Sequence, residues 1–155
     1  MTIKRLEGRG PAGVRRVGIV LSRFNPDLGE GLLGGTLRAF REAGVDDAHI
    51  TIASVPGALE TPLVLQRMAQ SGDYDALVAL GAVIRGETYH FEIVANESAA
   101  GVSSVALEFG IPIGNGILTC ENDAQALARM DQKGYEAAQA ALEIAVLFDV
   151  LDEQD

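Results

Sequence analysis

The sequence predicts an α/β protein, a three-layer sandwich with a central parallel sheet of about four strands and helices on both faces. Three observations predict it. Short apolar runs alternate with segments whose apolar residues recur at helical spacing, the pattern of repeated strand–helix units. The first run, with Val17, Ile19, Val20 and Leu21, is apolar at successive positions, which suits a sheet covered on both faces. Another run, 75–80, leads into a glycine-bearing stretch, Gly81-Ala82-Val83-Ile84-Arg85-Gly86-Glu87-Thr88-Tyr89-His90, that opens into a helix.

Residues 1–13, with Gly8, Gly10, Pro11 and Gly13, are too rich in glycine to form an element of their own. They read as a tail, or an arm that orders only against a neighbour. A single domain, 14–150, follows. Its first strand spans 14–21. Ser22-Arg23-Phe24-Asn25-Pro26 is the first loop, and Asn25 before Pro26 offers a cap followed by proline at the first helical position. That helix runs to about Ala43 and stops at Gly44. The second strand is 49–55. Pro56-Gly57-Ala58 then turns into a helix over 59–71 with Glu60 in its first turn, where acidic residues complement the dipole. The third strand, 75–80, leads to a helix over 89–109, with Phe91, Val94, Ala95, Val102, Val105 and Ala106 at helical spacing. The fourth strand, 111–118, is interrupted by Gly114 and Gly116. Two closing helices are expected: a short one capped by 119–123 and ending near Met130, and a last one from Tyr135 to about Val150, with Lys133-Gly134 as the break. Residues 151–155 form an acidic, frayed tail. Right-handed crossovers make a flavodoxin-like strand order, 2-1-3-4, the economical topology. Four short strands leave apolar edges open, so oligomerisation is the expected remedy.

At 155 residues the chain can bury a full core, and its 48% apolar and 22% charged residues are those of an ordinary globular protein. Twelve Lys and Arg stand against 22 Asp and Glu, a formal charge of -10. Such a chain does not attract nucleic acid or anionic lipid non-specifically. Any phosphate it binds must be small and held locally, by a few arginines and backbone amides. The single cysteine, Cys120, excludes an internal disulfide and a cysteine-based metal cluster, and reads as a small half-buried hydrophobe. The start lacks the apolar core of a signal peptide, and no run approaches the ~20 residues of a membrane span. A soluble, cytoplasmic protein is expected.

Function is expected where strands end. Ligands of open α/β sheets bind beyond the carboxyl ends of the strands. A glycine-bearing turn into a helix aims backbone N–H groups and the positive end of the helix dipole at one spot. Three loops should meet at one rim: Phe24-Asn25, Pro56-Gly57-Ala58-Leu59-Glu60, and 84–90. Phe24 offers a flat apolar face to a ring and Glu60 offers acceptors to hydroxyls. Gly86, Glu87 and Thr88 offer donors to an anion, and His90 can carry a proton. Plainer readings stand beside these, with Glu60 as dipole compensation and His90 as a surface histidine. A second pattern, Gly29-Glu30-Gly31-Leu32-Leu33-Gly34, matches G-x-G-x-x-G but lies inside the first helix, and no acidic residue closes the second strand. It reads as close helix packing, not as a dinucleotide site.

Four pieces of the chain carry a family resemblance: Arg23-Phe24-Asn25, Val55-Pro56-Gly57-Ala58-Leu59-Glu60-Thr61-Pro62, 81–90, and Gly116-Ile117-Leu118-Thr119-Cys120-Glu121-Asn122. In order and spacing, from about Val17 to Val146, they resemble the 6,7-dimethyl-8-ribityllumazine synthases of riboflavin biosynthesis. The resemblance implies condensation of 5-amino-6-ribitylamino-pyrimidinedione with 3,4-dihydroxy-2-butanone 4-phosphate, losing phosphate and water, with no metal or organic cofactor. It implies that Phe24 stacks on the pyrimidine and that backbone groups of Ala82, Val83 and Ile84 meet its edge. Ala58, Leu59 and Glu60 would hold the ribityl chain. Glu87 and Thr88 would cradle the phosphate, joined by Arg129, and His90 would shuttle protons. The resemblance also implies a homopentamer with sites between subunits, and in some members a shell of twelve rings. The connection after Arg129, Met130-Asp131-Gln132-Lys133-Gly134, reads as short and favours an isolated pentamer.

Two residues depart from the family pattern. Asn115 stands where many relatives carry an aromatic that packs over the neighbour's ligand; an amide gives up stacking area but can bond a carbonyl or hydroxyl. Glu87 puts a carboxylate in an anion cradle, so its contribution is expected through its backbone N–H. Arg129 reads alternatively as a surface cation near a helix C-terminus, and Lys133 is a further candidate beside it. Two rivals to the enzyme remain open: a pentamer that binds riboflavin or a lumazine without making one, and a flavodoxin-type electron carrier. Against the latter, the first loop lacks the Ser/Thr run of a phosphate loop.

Overall fold

Strand β1, Val17–Ser22, occupies the middle of the sheet with every residue buried. It pairs in parallel with β2 (Ile50–Val55) on one side and with β3 (Ala76–Ile84) on the other, and β3 pairs in parallel with β4 (Ile113–Cys120). The order β2-β1-β3-β4 is the 2-1-3-4 that the sequence predicts. The computed structural model describes residues 2–13 and 15–154. Met1, Val14 and Asp155, parts of the predicted arm, first strand and tail, lie outside the described residues.

Helices α1 (Pro26–Glu42) and α4 (Asp123–Asp152) cover one face; α2 (Thr61–Ser71) and α3 (His90–Phe109) cover the other. Because successive strand residues point to opposite faces, one set of side chains serves each layer. Ile19, Val78, Leu80 and Leu118 meet Leu32 and Phe40 of α1 and Ala138 and Ala141 of α4. Val20, Leu77, Ala79 and Ile117 meet Leu65 and Met68 of α2 and Val102 and Val105 of α3.

Where α1 crosses α4, backbone meets backbone. A Cβ on Gly35 would overlap the Asp131 carbonyl, and one on Gly134 would overlap the Leu32 carbonyl. Thr36 Oγ1, fully buried, lies 3.0 Å from both Leu32 O and Gly134 O and donates its proton to that pair. This contact corrects the predicted break at Lys133-Gly134. Gly134 is a packing glycine inside a continuous 30-residue helix, its conformational cost offset by the crossing it permits. Segment 130–134 is therefore helix, not a connection, and its length says nothing about ring stacking. The G-x-G-x-x-G pattern is likewise a packing feature in part. Gly29 faces Ser22 O and Gly31 faces the Met130 side chain, while Gly34 faces open space.

Four smaller corrections follow from local bonding. β3 continues four residues beyond the predicted 75–80, because Gly81 to Ile84 find partners in Ile117 to Cys120 of β4. β4 begins two residues later than predicted, since Gly110 ends α3 in the left-handed conformation (φ 61°) and Pro112 has no N–H to give a ladder. Asn25 stands at the head of α1 as predicted, but its φ of 62° is left-handed and its side chain makes no cap; its carbonyl takes the N–H groups of Leu28 and Gly29 instead. Glu60 lies in a short 3-10 turn, Ala58–Glu60, and α2 begins after it at Thr61, whose buried hydroxyl donates to Ala58 O at 2.7 Å. Among the described residues the arm has no regular element, and it lies on its own chain. Ala12 is buried with its N–H on Ala43 O, and Gly8 abuts the Glu143 backbone.

Candidate functional site

Beyond the carboxyl ends of β1 and β3, on the α2/α3 side of the sheet, three loops enclose a hollow of about 500 Å³. Phe24 comes from the first loop; Gly57, Ala58, Leu59 and Glu60 from the second; Ala82, Val83 and Ile84 from the end of β3; Gly86 and Thr88 from the third loop; and His90 from the start of α3. Two backbone bonds stitch the first loop to the second: Arg23 N–H to Val55 O at 2.9 Å and Phe24 N–H to Pro56 O at 3.2 Å. They hold the Phe24 ring over the rim, 70% exposed, with a face free for a flat partner. Ala82 and Val83 form a buried floor on β3.

The turn Gly86-Glu87-Thr88-Tyr89 links β3 to α3. Among the described residues, none accepts a hydrogen bond from the backbone N–H of Gly86, Glu87 or Thr88. Donors left over at the start of a 20-residue helix make an anion site, and the dipole favours negative charge there. His90 opens α3, exposed, with its backbone N–H 3.4 Å from Thr88 Oγ1. The arrangement can therefore receive a flat ring at Phe24, hydroxyls at Glu60 and an anion at the turn, with an imidazole between ring and anion.

Arg85, which opens this turn, carries the strongest local electrostatics. Its Nε donates to Glu121 Oε2 at 2.6 Å and its Nη1 pairs with Glu92 Oε1, while the guanidinium lies 4.4 Å above the Phe91 ring centroid. The Arg85 hydrogen bond holds the Glu92 carboxyl below its ordinary range, and the Glu92 and Glu121 bonds raise the Arg85 guanidinium. Among the described residues there is no group of three or more His, Cys, Asp or Glu side chains placed to hold a metal.

Three of the residues predicted for the site do not line this hollow. The Glu87 side chain is exposed outside it. Asn115 sits exposed on the edge strand β4, its Oδ1 accepting the Ile117 N–H at 3.0 Å. Arg129 lies on α4, on the other face of the sheet, with Nη1 on Gln125 O at 2.9 Å. It lines a separate groove of about 360 Å³ between α4 and β4, with Gln125 and Lys133. Conversely, Phe91 and Val94 line the hollow without having been predicted to. Phe91 and Val94 carry the helical spacing that reads as core, and only their position in the first turns of α3 could have pointed to the rim.

The chain matches the profile of the 6,7-dimethyl-8-ribityllumazine synthase family over residues 14–149. It is 59% identical over 146 residues to the 6,7-dimethyl-8-ribityllumazine synthase of Azoarcus sp. (strain BH72), covering 94% of this chain and 91% of that one. It is 59% identical over 139 residues to the protein of the same name from Nitrosospira multiformis, covering 90% and 87%. With the one from Burkholderia multivorans it shares 53% over 148 residues, covering 96% and 84%.

Proposed function

The chain belongs to the 6,7-dimethyl-8-ribityllumazine synthase family, and from that premise we propose that the hollow at the sheet's rim is where its reaction takes place. The reaction is the condensation of 5-amino-6-(D-ribitylamino)uracil with 3,4-dihydroxy-2-butanone 4-phosphate to 6,7-dimethyl-8-ribityllumazine, with release of phosphate and water. One observation carries the placement: Phe24, Glu60 and His90, from three loops far apart in sequence, border a single hollow.

The roles follow from the chemistry of each group. Phe24 stacks on the pyrimidine ring, whose polar edge meets the backbone of Ala82, Val83 and Ile84. Ala58, Leu59 and Glu60 hold the ribityl chain, the carboxylate accepting from its hydroxyls. The free N–H groups at Glu87 and Thr88 hold the phosphate. Amine attack on the ketone, loss of water to the imine, phosphate elimination and ring closure all move protons. One imidazole, His90, serves several of these transfers because it gives and takes a proton near neutral pH. Most of the acceleration comes from holding two substrates together, an effect worth up to ~7–11 kcal/mol.

Asn115 and Arg129 enter the site from a neighbouring copy. In one chain the sheet stands between Arg129 and the hollow, while Arg129 and Lys133 line a groove beside the open edge of β4. A second copy whose β4 edge and α4 approach the rim brings a guanidinium fork to the phosphate. We take the assembly to be a homopentamer, and native mass spectrometry checks it. We place the enzyme in the cytoplasm; among the described residues, no helix is long and apolar enough to cross a membrane.

Mixing both substrates with the purified protein and following the product's near-ultraviolet absorbance tests the whole reading. A protein that binds the pyrimidine but gives no product is a binder and not a synthase. No observation on this chain favours that second reading.

A further inference from the structure

Arg85 spans the turn that carries both the anion donors and the proton carrier. Its backbone N–H is bonded to Cys120 O at 2.9 Å, which fixes the start of the turn to the end of β4. Its side chain then reaches past the turn to Glu92 in the first turn of α3, and sideways to Glu121 just beyond β4. The same guanidinium lies over Phe91, whose ring lines the hollow next to His90. One residue therefore closes the loop 85–92 on itself and pins the closed loop to β4. Among the described residues, the N–H groups of Gly86, Glu87 and Thr88 find no acceptor that would brace this part of the turn. Both faces of the guanidinium's charge are spent on carboxylates, so Arg85 adds no net positive charge to the anion cradle.

We propose that Arg85 is a positioning residue of the reaction: through Glu92, Glu121 and the Phe91 ring it holds the 86–90 turn and His90 in the geometry the substrates require. The assignment rests on the placement of the reaction in this hollow. A guanidinium suits the task because its planar fork serves two carboxylates and an aromatic face at once, which an ammonium cannot do.

Two readouts on the full-length protein test it. In Arg85→Gln, hydrogen exchange of a peptide covering residues 90–97, where the Glu92 and Ile93 N–H groups are held on Tyr89 O, speeds up while the unfolding midpoint stays within a few degrees of wild type. In the two-substrate assay kcat falls about tenfold, since small misplacements of reacting groups are costly, and the KM for the phosphate-bearing substrate rises. Arg85→Lys recovers part of the loss. Glu92→Gln lowers kcat in the wild-type background and has no further effect in Arg85→Gln, because both remove one link. Unchanged exchange and kinetics in Arg85→Gln would sink the proposal. So would a raised KM with unchanged exchange, which makes Arg85 a direct phosphate ligand. If the wild-type protein makes no product, the placement of the reaction fails by itself, and the exchange measurement still decides whether Arg85 orders the turn.

Discussion

Against one face of the sheet α1 and α4 meet so closely that Gly35 and Gly134 have room only for hydrogen; against the other, α2 and α3 leave a hollow of about 500 Å³ and hold Leu63 and Leu107 71% and 86% exposed. The glycine at the second crossing, Gly101, faces the ring of Pro62, not a backbone carbonyl. The difference separates two tasks. The α1–α4 crossing is closed within one chain and backs the sheet, although α4 leaves Leu127 and Leu151 exposed. The open face has apolar side chains without partners and a rim lined by loops, so its surface is finished by ligand and by a second copy. A molecule built this way can vary its rim without loosening its frame.

The comparison breaks most visibly at the closed face. Gly134→Val drives two methyl groups into the Leu32 carbonyl, and overpacking against backbone should cost about 3 kcal/mol, read as a lower urea midpoint. Gly34, next to Gly35 on α1 but facing open space, is the control. Gly34→Ala should stabilise by roughly 0.5–1 kcal/mol. A Gly134→Val protein as stable as wild type would mean that the crossing is not rigid.

On the open face, changes should reach rate and affinity but leave stability alone. His90→Ala is expected to slow turnover about 100-fold without abolishing it, because positioning by the rest of the rim survives. A variant with full activity removes the imidazole from the mechanism. Arg129 stands on the closed face of its own chain and reaches the rim of a neighbour, so Arg129→Ala should raise the KM for the phosphate-bearing substrate about tenfold, the loss of a charge-assisted fork. An unchanged KM would count against the neighbour's contribution.

Acid gives the smallest and sharpest effect. The folded structure lowers the Glu92 carboxyl through Arg85, so the link adds stability above the ordinary glutamate value of about 4.3 and loses it as pH falls through the lowered one. The difference in unfolding midpoint between wild type and Glu92→Gln should therefore shrink as pH drops below about 4. A difference independent of pH would show that the pair contributes through packing alone.

The sheet order and both layers were legible because burial on two faces leaves a continuous apolar signature in each strand. The convergence of Phe24, Glu60 and His90 was legible because parallel strands bring their carboxyl ends to one rim. Gly134 was not, since a glycine that admits a neighbouring backbone looks, in sequence, the same as one that breaks a helix. The extension of β3 through Ile84 escaped for a related reason: it depends on partners in β4 36 residues away. Arg85 was passed over because a side chain's partners cannot be read from its own position. Glu92 is seven residues from it and Glu121 thirty-six.

Cys120 closes β4, buried, with its carbonyl accepting the Arg85 N–H. It is the sole sulfhydryl in the chain. A thiol-reactive dye added to the intact protein thus has one target, packed at the end of β4 in the core shared with α1 and α4. Its labelling rate counts openings there without any introduced probe, and substrates that settle on the rim should slow the colour change in proportion to their occupancy.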